Sequence, residues 1–318
     1  MSPAHALRLL GRQARWALPA GVFAGVAVPP LATALRPLLT AAVIGTLTAV
    51  LLRLDWGRLA EAMRRPALPA AIGMWQLVAS PLLAWAAAAL AGFAPETRLL
   101  LVLQAAAPPI GSAAVFAMIV GLDGILAVIG TVVTTLLLPL SLTVLVALLL
   151  PQAGVQVDLA AFFVRVALLV AAPFALAWAL RRGLGAVRLA RHDELLGGVN
   201  VALLLVFAIA VMDGVTARLS SEPAYIAKLL WLACLATAAL HLAGYAVFRR
   251  AGITTAYSAA LMSGNRNMGL MLVVTAGTAG DAFSLYVGIA QIPMYFAPLL
   301  LEPFLRRSLS QGPGHRGS

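Results

Sequence analysis

The sequence predicts an all-α, polytopic membrane protein of about ten transmembrane helices, in two inverted five-helix repeats that each contain one broken crossover helix. Three observations carry that reading. Of 318 residues, 62% are hydrophobic and 10% charged, with a mean hydropathy of +0.98, far from the composition of a water-soluble domain. Ten apolar segments of near-spanning length recur along the chain, with short basic clusters between them. The fourth and ninth of these segments are interrupted by glycine, proline and polar residues.

The ten segments run at 17–33, 36–52, 68–92, 99–120, 125–149, 159–180, 194–214, 224–248, 255–277 and 282–303. Ahead of the first, Arg8, Arg12 and Arg15 resemble the basic region of a signal peptide, but an apolar run rather than a polar mature domain comes next. The stretch therefore reads as the basic lead of a first spanning helix, in which Gly21 and Gly25 form a GxxxG spacing suited to close packing. Leu99 to Leu150 is almost continuously apolar, so Gly121-Leu122-Asp123-Gly124 has to turn a tight hairpin. Arg165, about two turns from its helix end, is expected to snorkel to the surface. Cys234 stands alone, forms no intrachain disulfide and reads as a small core residue.

Charge sets the orientation. With both termini cytoplasmic, sixteen basic residues fall inside, around Arg8, Arg53, Arg181, Arg249 and Arg306. Only Arg36, Arg98, Arg218 and Lys228 fall outside, which is the positive-inside bias of a multi-pass protein of the cytoplasmic membrane. The same scatter argues against nucleic acid as the partner of a net charge of +11, because no basic stripe is formed. The loop from Pro151 to Asp158 divides the chain into repeats at 1–157 and 158–318, and five being odd, the halves face opposite ways.

Each half then has a broken fourth helix. One contains Ala107-Pro108-Pro109-Ile110-Gly111-Ser112, where two prolines remove two backbone donors. The other contains Ser263-Gly264-Asn265-Arg266-Asn267-Met268-Gly269, which puts an arginine near mid-membrane at a cost of about 2.5–3.5 kcal/mol on insertion scales. A guanidinium there needs an anion, several carbonyls or a carboxylate partner; Asp213 and Glu302 are the carboxylates that could reach. The functional expectation is that Arg266 anchors a small organic anion. Free N–H groups near Asn265 to Met268 would aid it, and Asn265, Asn267, Ser263, Ser112 and Gln76 would line the site. Arg266 could alternatively substitute for a bound cation. His241 is expected to hydrogen-bond between helices or to titrate.

Enzyme chemistry finds no purchase in the sequence. It has no GxxxxGK[ST] phosphate loop, HExxH, CxxC or G-x-S-x-G elbow. The reading is therefore no enzyme, no cofactor and no metal centre, and ATP-driven transport is excluded for this chain alone.

The residues Gly73-Met74-Trp75-Gln76 with Pro81, the run from Pro108 to Pro139, and Leu240-His241, Gly244-Tyr245, Gly264, Asn267 and Gly269-Leu270 resemble the bile acid:sodium symporter family of carriers. The resemblance implies a core of helices 3–5 and 8–10 moving against a panel of helices 1–2 and 6–7. It also implies sodium ligands, most of which are missing. The family's Ser-Asn pair falls at Ala113 and Ala114, a hydroxyl at Ala127, a glutamate at Met262 and a glutamine at Arg266, while Gln76, Thr131 and Asn267 keep family oxygens. The resemblance thus implies a secondary carrier for a small organic anion, with sodium not favoured as the coupling ion. The alternatives are a sodium symporter whose ion site is rebuilt from Thr131, Gln76, Asn265 and Asn267, and a channel-like or sensory protein that has lost coupled transport. Oligomeric state is left open.

Overall fold

The computed structural model describes residues 2–64, 66–111, 113, 117, 122, 124–149 and 157–310, and among these it is all-helical, without a strand. Helix α1 (Pro3–Arg12) starts where the Ser2 hydroxyl accepts the His5 N–H. A step at Gln13 leads into α2 (Ala14–Ala27). Val28 then leaves helical geometry, with φ −126° and ψ 73°, because Pro29 excludes its predecessor from the α region. The prolines start α3 (Pro29–Leu35), and a 3-10 turn at Arg36–Leu38 joins it to α4 (Leu39–Leu52). The expected segment 17–33 is thus cut at Val28, and the expected 36–52 reaches back to Pro29.

After α5 (Trp56–Met63), helix α6 (Ala67–Met74) passes through a π-helical turn at Trp75–Ala79 into α7 (Ser80–Leu90). Helix α8 (Pro95–Ala106) stops before the two prolines. Of the expected hairpin after it, Gly124 opens the next helix, and Gly121 and Asp123 lie outside the described residues. The chain continues through α9 (Gly124–Leu149), α10 (Leu159–Leu184), α11 (Ala186–Arg191), α12 (Asp193–Ala210), α13 (Val215–Ser221) and α14 (Pro223–Phe248). The broken pair α15 (Ile253–Gly264) and α16 (Met268–Val274) precedes the last helix, α17 (Gly280–Ser310).

Seven stretches among the described residues are long and apolar enough to cross a membrane: Pro29–Leu52, Ala67–Leu90, Gly124–Leu149, Leu159–Leu184, Asp193–Ser221, Pro223–Ala251 and Gly280–Pro303. The other three expected segments are those that the structure shortens or interrupts, at Val28, at Pro108 and at Asn265.

Helix α12 is packed from two sides. Along α2 the pairs Gly21 with Leu205 and Ala208, and Gly25 with Ile209 and Met212, set the two helices parallel. Along α4, Gly45 meets Leu203, while Arg53 holds Asp193 at 2.7 Å and Arg36 holds Asp213 at 2.7 Å at opposite ends, so these two run antiparallel. The GxxxG face is therefore buried within the chain. One expectation changes here: Cys234 is exposed on α14 instead of lying in the core. Arg165 is itself exposed and donates to Ala276 O at 2.5 Å and Val273 O at 3.3 Å, because the end of α16 offers carbonyls without helical donors.

A Cβ at Gly25 would lie 2.7 Å from Ile209 O and 2.8 Å from Met212 Cβ. Gly25→Val should lower the melting temperature of the purified protein by the equivalent of about 1–3 kcal/mol, the cost of overpacking. Gly183→Ala, with nothing within 4 Å of the added carbon, should not lower it.

Candidate functional site

The two interrupted helices meet. Pro108 and Pro109 have no N–H, so Gln104 O and Ala105 O lose their helical donors and α8 ends. Asn265 (φ −97°, ψ 86°) and Asn267 (φ −78°, ψ 72°) stand in extended geometry between α15 and α16, and Asn267 Oδ1 accepts Leu270 N at 3.0 Å to start the second half. The extended pieces pair antiparallel at Pro109 and Arg266: Ile110 N donates to Asn265 O at 2.9 Å, and Asn267 N donates to Pro108 O at 2.7 Å. Peptide groups that a membrane interior would leave unpaired, at several kcal/mol each, find one another.

Arg266 completes the pairing. Its side chain is 0% exposed, with Nε donating to Ser263 O at 2.6 Å, Nη1 to Ala107 O at 2.7 Å and Nη2 to Ser80 Oγ at 2.9 Å. Ser263 O and Ala107 O are carbonyls at the C-terminal ends of α15 and α8. Each such end carries a partial charge of roughly −0.5, so one guanidinium balances both.

Ser80 is the hinge of this arrangement. Its hydroxyl faces Ala105 O at 2.9 Å, the carbonyl that Pro109 orphans, and Gln76 O at 3.2 Å. The π turn pairs Ser80 N with Trp75 O five residues back, so the next donor, for Gln76 O, would be the N–H that Pro81 lacks. The same turn brings Trp75 Nε1 to 2.8 Å and Gln76 Nε2 to 3.4 Å from Ser263 Oγ. Gln76 Oε1 is buried without a partner among the described residues.

On the other side, Asn265 Nδ2 donates to Leu261 O at 3.0 Å and to His241 Nε2 at 3.3 Å, while His241 Nδ1 donates to Thr237 O at 2.7 Å. Carbonyl acceptance fixes that tautomer. The ring occupies the space a side chain at Gly264 would need. Gln104 continues the seam, donating to Thr237 Oγ1 at 3.1 Å and accepting from Tyr286.

The structure thus brings Gln76, Ser263, Asn265, Arg266 and Asn267 into one buried cluster, while Ser112 lies outside the described residues. Several expectations are revised. Three of the four N–H groups from Asn265 to Met268 are not free, since Asn265 N meets Leu261 O at 2.9 Å, Asn267 N meets Pro108 O at 2.7 Å and Met268 N meets Arg266 O at 2.9 Å. Asp213 and Glu302 do not brace Arg266, because Arg36 and Arg15 hold them. Thr131 gives its hydroxyl proton to Ala127 O at 2.8 Å and keeps the oxygen lone pairs that a cation ligand would use. Ala113, Ala127 and Met262 are buried among apolar side chains, and Ala114 lies outside the described residues. Ser80, Gln104 and Tyr286 were not singled out by sequence, and Trp75 only as part of the motif before Pro81; the signal for Ser80 was the pair of prolines whose missing donors it replaces.

A cavity of about 420 Å³, lined by Arg36, Thr40, Asp213, Thr275, Asp281 and Phe283 among others, opens between α4, α12, α16 and α17. One helical turn deeper on three of these helices, Val43 and Phe207 close on Gly269, where a Cβ would lie 3.1 and 2.9 Å away. Val50 closes likewise on Gly111. An apolar layer therefore separates this cleft from the crossover.

A comparison with protein families matches residues 40–220 to the sodium bile acid symporter family. That is more than half of the chain; it includes the Pro108–Pro109 side of the crossover and stops short of Arg266. No curated protein matches the chain.

Ser80→Ala should leave an Arg266 N–H without its acceptor, remove the one proton that Ala105 O and Gln76 O share, and destabilise the protein by about 1–3 kcal/mol in a detergent melt. Ser141→Ala, which removes a 3.3 Å bond to a carbonyl of its own helix, should stay within about 0.5 kcal/mol of the parent.

Proposed function

Taking as premise that the chain belongs to the sodium bile acid symporter family and is a multi-pass membrane protein, we propose that it is a secondary carrier for a small organic anion whose cycle needs no sodium. The observation that carries this is Arg266. A permanent cation already occupies the point where the carbonyl ends of two half-helices converge, and it is bound there by neutral oxygens alone. A second cation at about 5 Å would be repelled by roughly 3 kcal/mol at an effective dielectric near 20. The apolar side chains of Ala113, Ala127 and Met262 offer such an ion no oxygen.

The substrate class rests on the same charge. Among the described residues in contact at the crossover, the one formal charge is positive, so a solute with a carboxylate or sulfonate balances it and a cationic solute is disfavoured. Arg266 acts in this reading through its field, with its N–H groups committed to the protein, and Gln76, Asn265 and Asn267 are the amides nearest to it. The cleft beside Arg36 and Asp213 is the approach, and the Val43–Phe207–Gly269 layer is what must part.

The reciprocal bonds Ile110 N to Asn265 O and Asn267 N to Pro108 O support a ten-helix plan with inverted repeats at 1–157 and 158–318, since a local two-fold relates the two breaks. In that plan helices 3–5 and 8–10 form the moving core and helices 1–2 and 6–7 the panel. The charge distribution supports termini that both lie on the cytoplasmic side of the cytoplasmic membrane.

One observation favours the second reading, sodium coupling through a rebuilt site: Gln76 Oε1 and Thr135 Oγ1 are buried oxygens without hydrogen-bond partners among the described residues. Replacing choline by sodium in detergent is expected to leave the melting temperature unchanged. Exchange of radiolabelled carboxylates and sulfonates in proteoliposomes should run equally with and without a sodium gradient. Sodium-specific stabilisation or uptake would favour the rebuilt site, and exchange of none of these solutes would remove the carrier reading.

A further inference from the structure

At the N-terminal end of α12, away from the cleft, a cavity of about 390 Å³ lies between α1, α2, α4 and α12. Arg8, Arg12, Arg15 and Arg53 line it together with Asp193 and Glu194, so four guanidinium groups face two carboxylates. The arginines differ in how they are held. Arg53 grips Asp193 through two bonds, 2.7 and 2.9 Å, and Arg12 reaches Glu194 at 3.0 Å. Arg15 lies 3.8 Å from Glu302 of α17, beyond the cavity wall. Arg8 makes no hydrogen bond or ion pair among the described residues.

A second, independent feature sits in the same wall. Asn200 is 4% exposed, lines the cavity, and has a buried amide oxygen with no donor among the described residues. A buried acceptor of this kind is costly unless a donor reaches it. The cavity therefore asks for two things in one ligand: an oxyanion for the surplus arginines and a hydroxyl or amine for Asn200.

The depth of the cavity indicates where such a ligand comes from. Helix α1 has no fully buried residue; Leu9 is 41% exposed on it, and Trp16 at the start of α2 is 56% exposed. The Arg15 guanidinium stands 5.8 Å over the Trp16 ring. Exposed tryptophan beside arginine is the signature of the membrane–water interface, the level of lipid headgroups.

We propose that this cavity binds the phosphodiester of an anionic phospholipid whose headgroup carries a hydroxyl. The phosphate oxygens meet Arg8 and Arg12, and the headgroup hydroxyl donates to Asn200 Oδ1. The site is separate from the crossover and does not depend on the transport reading.

Delipidated protein titrated with phosphatidylglycerol, phosphatidic acid, phosphatidylcholine and inorganic phosphate, read by native mass spectrometry and by melting, tests it. Phosphatidylglycerol should bind most tightly and raise the melting temperature. Arg8→Gln combined with Arg12→Gln should weaken it about tenfold or more, while Arg249→Gln combined with Arg250→Gln, the same charge removed from another exposed surface, should not. Arg8→Lys should retain part of the affinity. Asn200→Leu should abolish the preference for phosphatidylglycerol over phosphatidic acid, which lacks the hydroxylated headgroup. Equal losses from the two arginine pairs would reduce the site to general surface attraction and overturn the proposal. Binding of phosphatidylcholine as tight as that of phosphatidylglycerol would do so as well. A melting shift from inorganic phosphate as large as that from the lipid would assign the cavity to a soluble phosphate and overturn the lipid assignment.

Discussion

A carbonyl oxygen that loses its helical donor inside a membrane has no water to turn to, and the crossover gathers at least five of them in a small volume. Gln76, Ala105, Ala107, Pro108 and Ser263 all present oxygens whose donors were removed by Pro81, by Pro108 and Pro109, or by the end of a helix. Three groups serve these five oxygens, two of which share one hydroxyl proton. Ser80 faces Gln76 O and Ala105 O, Asn267 N takes Pro108 O, and Arg266 takes Ala107 O and Ser263 O while its third nitrogen holds Ser80 in place. The guanidinium suits this work because its donors are fixed in one plane at separated directions; a lysine ammonium is a compact point charge without that fork. Everything packed around the crossover, from the His241 ring over Gly264 to Trp75 on Ser263, presumes that these oxygens are satisfied.

The same use of arginine recurs. Arg165 donates to the last carbonyls of α16, and Arg181 to Leu52 O and Leu54 O at the end of α4. With 22 basic residues and 11 acidic ones, half of the cations at most could be paired with carboxylates. Helix ends supply negative partial charge without requiring a second ion to be desolvated, which is why a buried arginine can persist beside neutral oxygens.

How much of this was readable beforehand depends on the range of the interaction. Glycine, proline and asparagine act on their own backbone, so the breaks at Pro108 and at Asn265 were visible in the sequence and the structure has both. The partners of Arg266 were not, because two are backbone oxygens, which every residue carries, and the third, Ser80, lies 186 positions away. The search for a carboxylate partner pointed to Asp213 and Glu302 because only charged side chains announce themselves in a sequence. The π turn at Trp75–Ala79 has no composition of its own, and Val28 was read through as helix although Pro29 and Pro30 come directly after it. Ser112, and with it part of the first break, lies outside the described residues.

If the crossover depends on a guanidinium bridging two carbonyl ends, the group should be replaceable from solution. The direct measurement is the melting temperature of Arg266→Ala, purified in detergent, with added guanidinium, sodium or choline at equal and non-denaturing concentration. The account predicts a variant several kcal/mol less stable than the parent, since three bonds from a charged donor are lost at about 1.5–3 kcal/mol each before relaxation, with stability recovered by guanidinium and not by sodium or choline. A variant as stable as the parent, or one that sodium restores as well as guanidinium does, would contradict it.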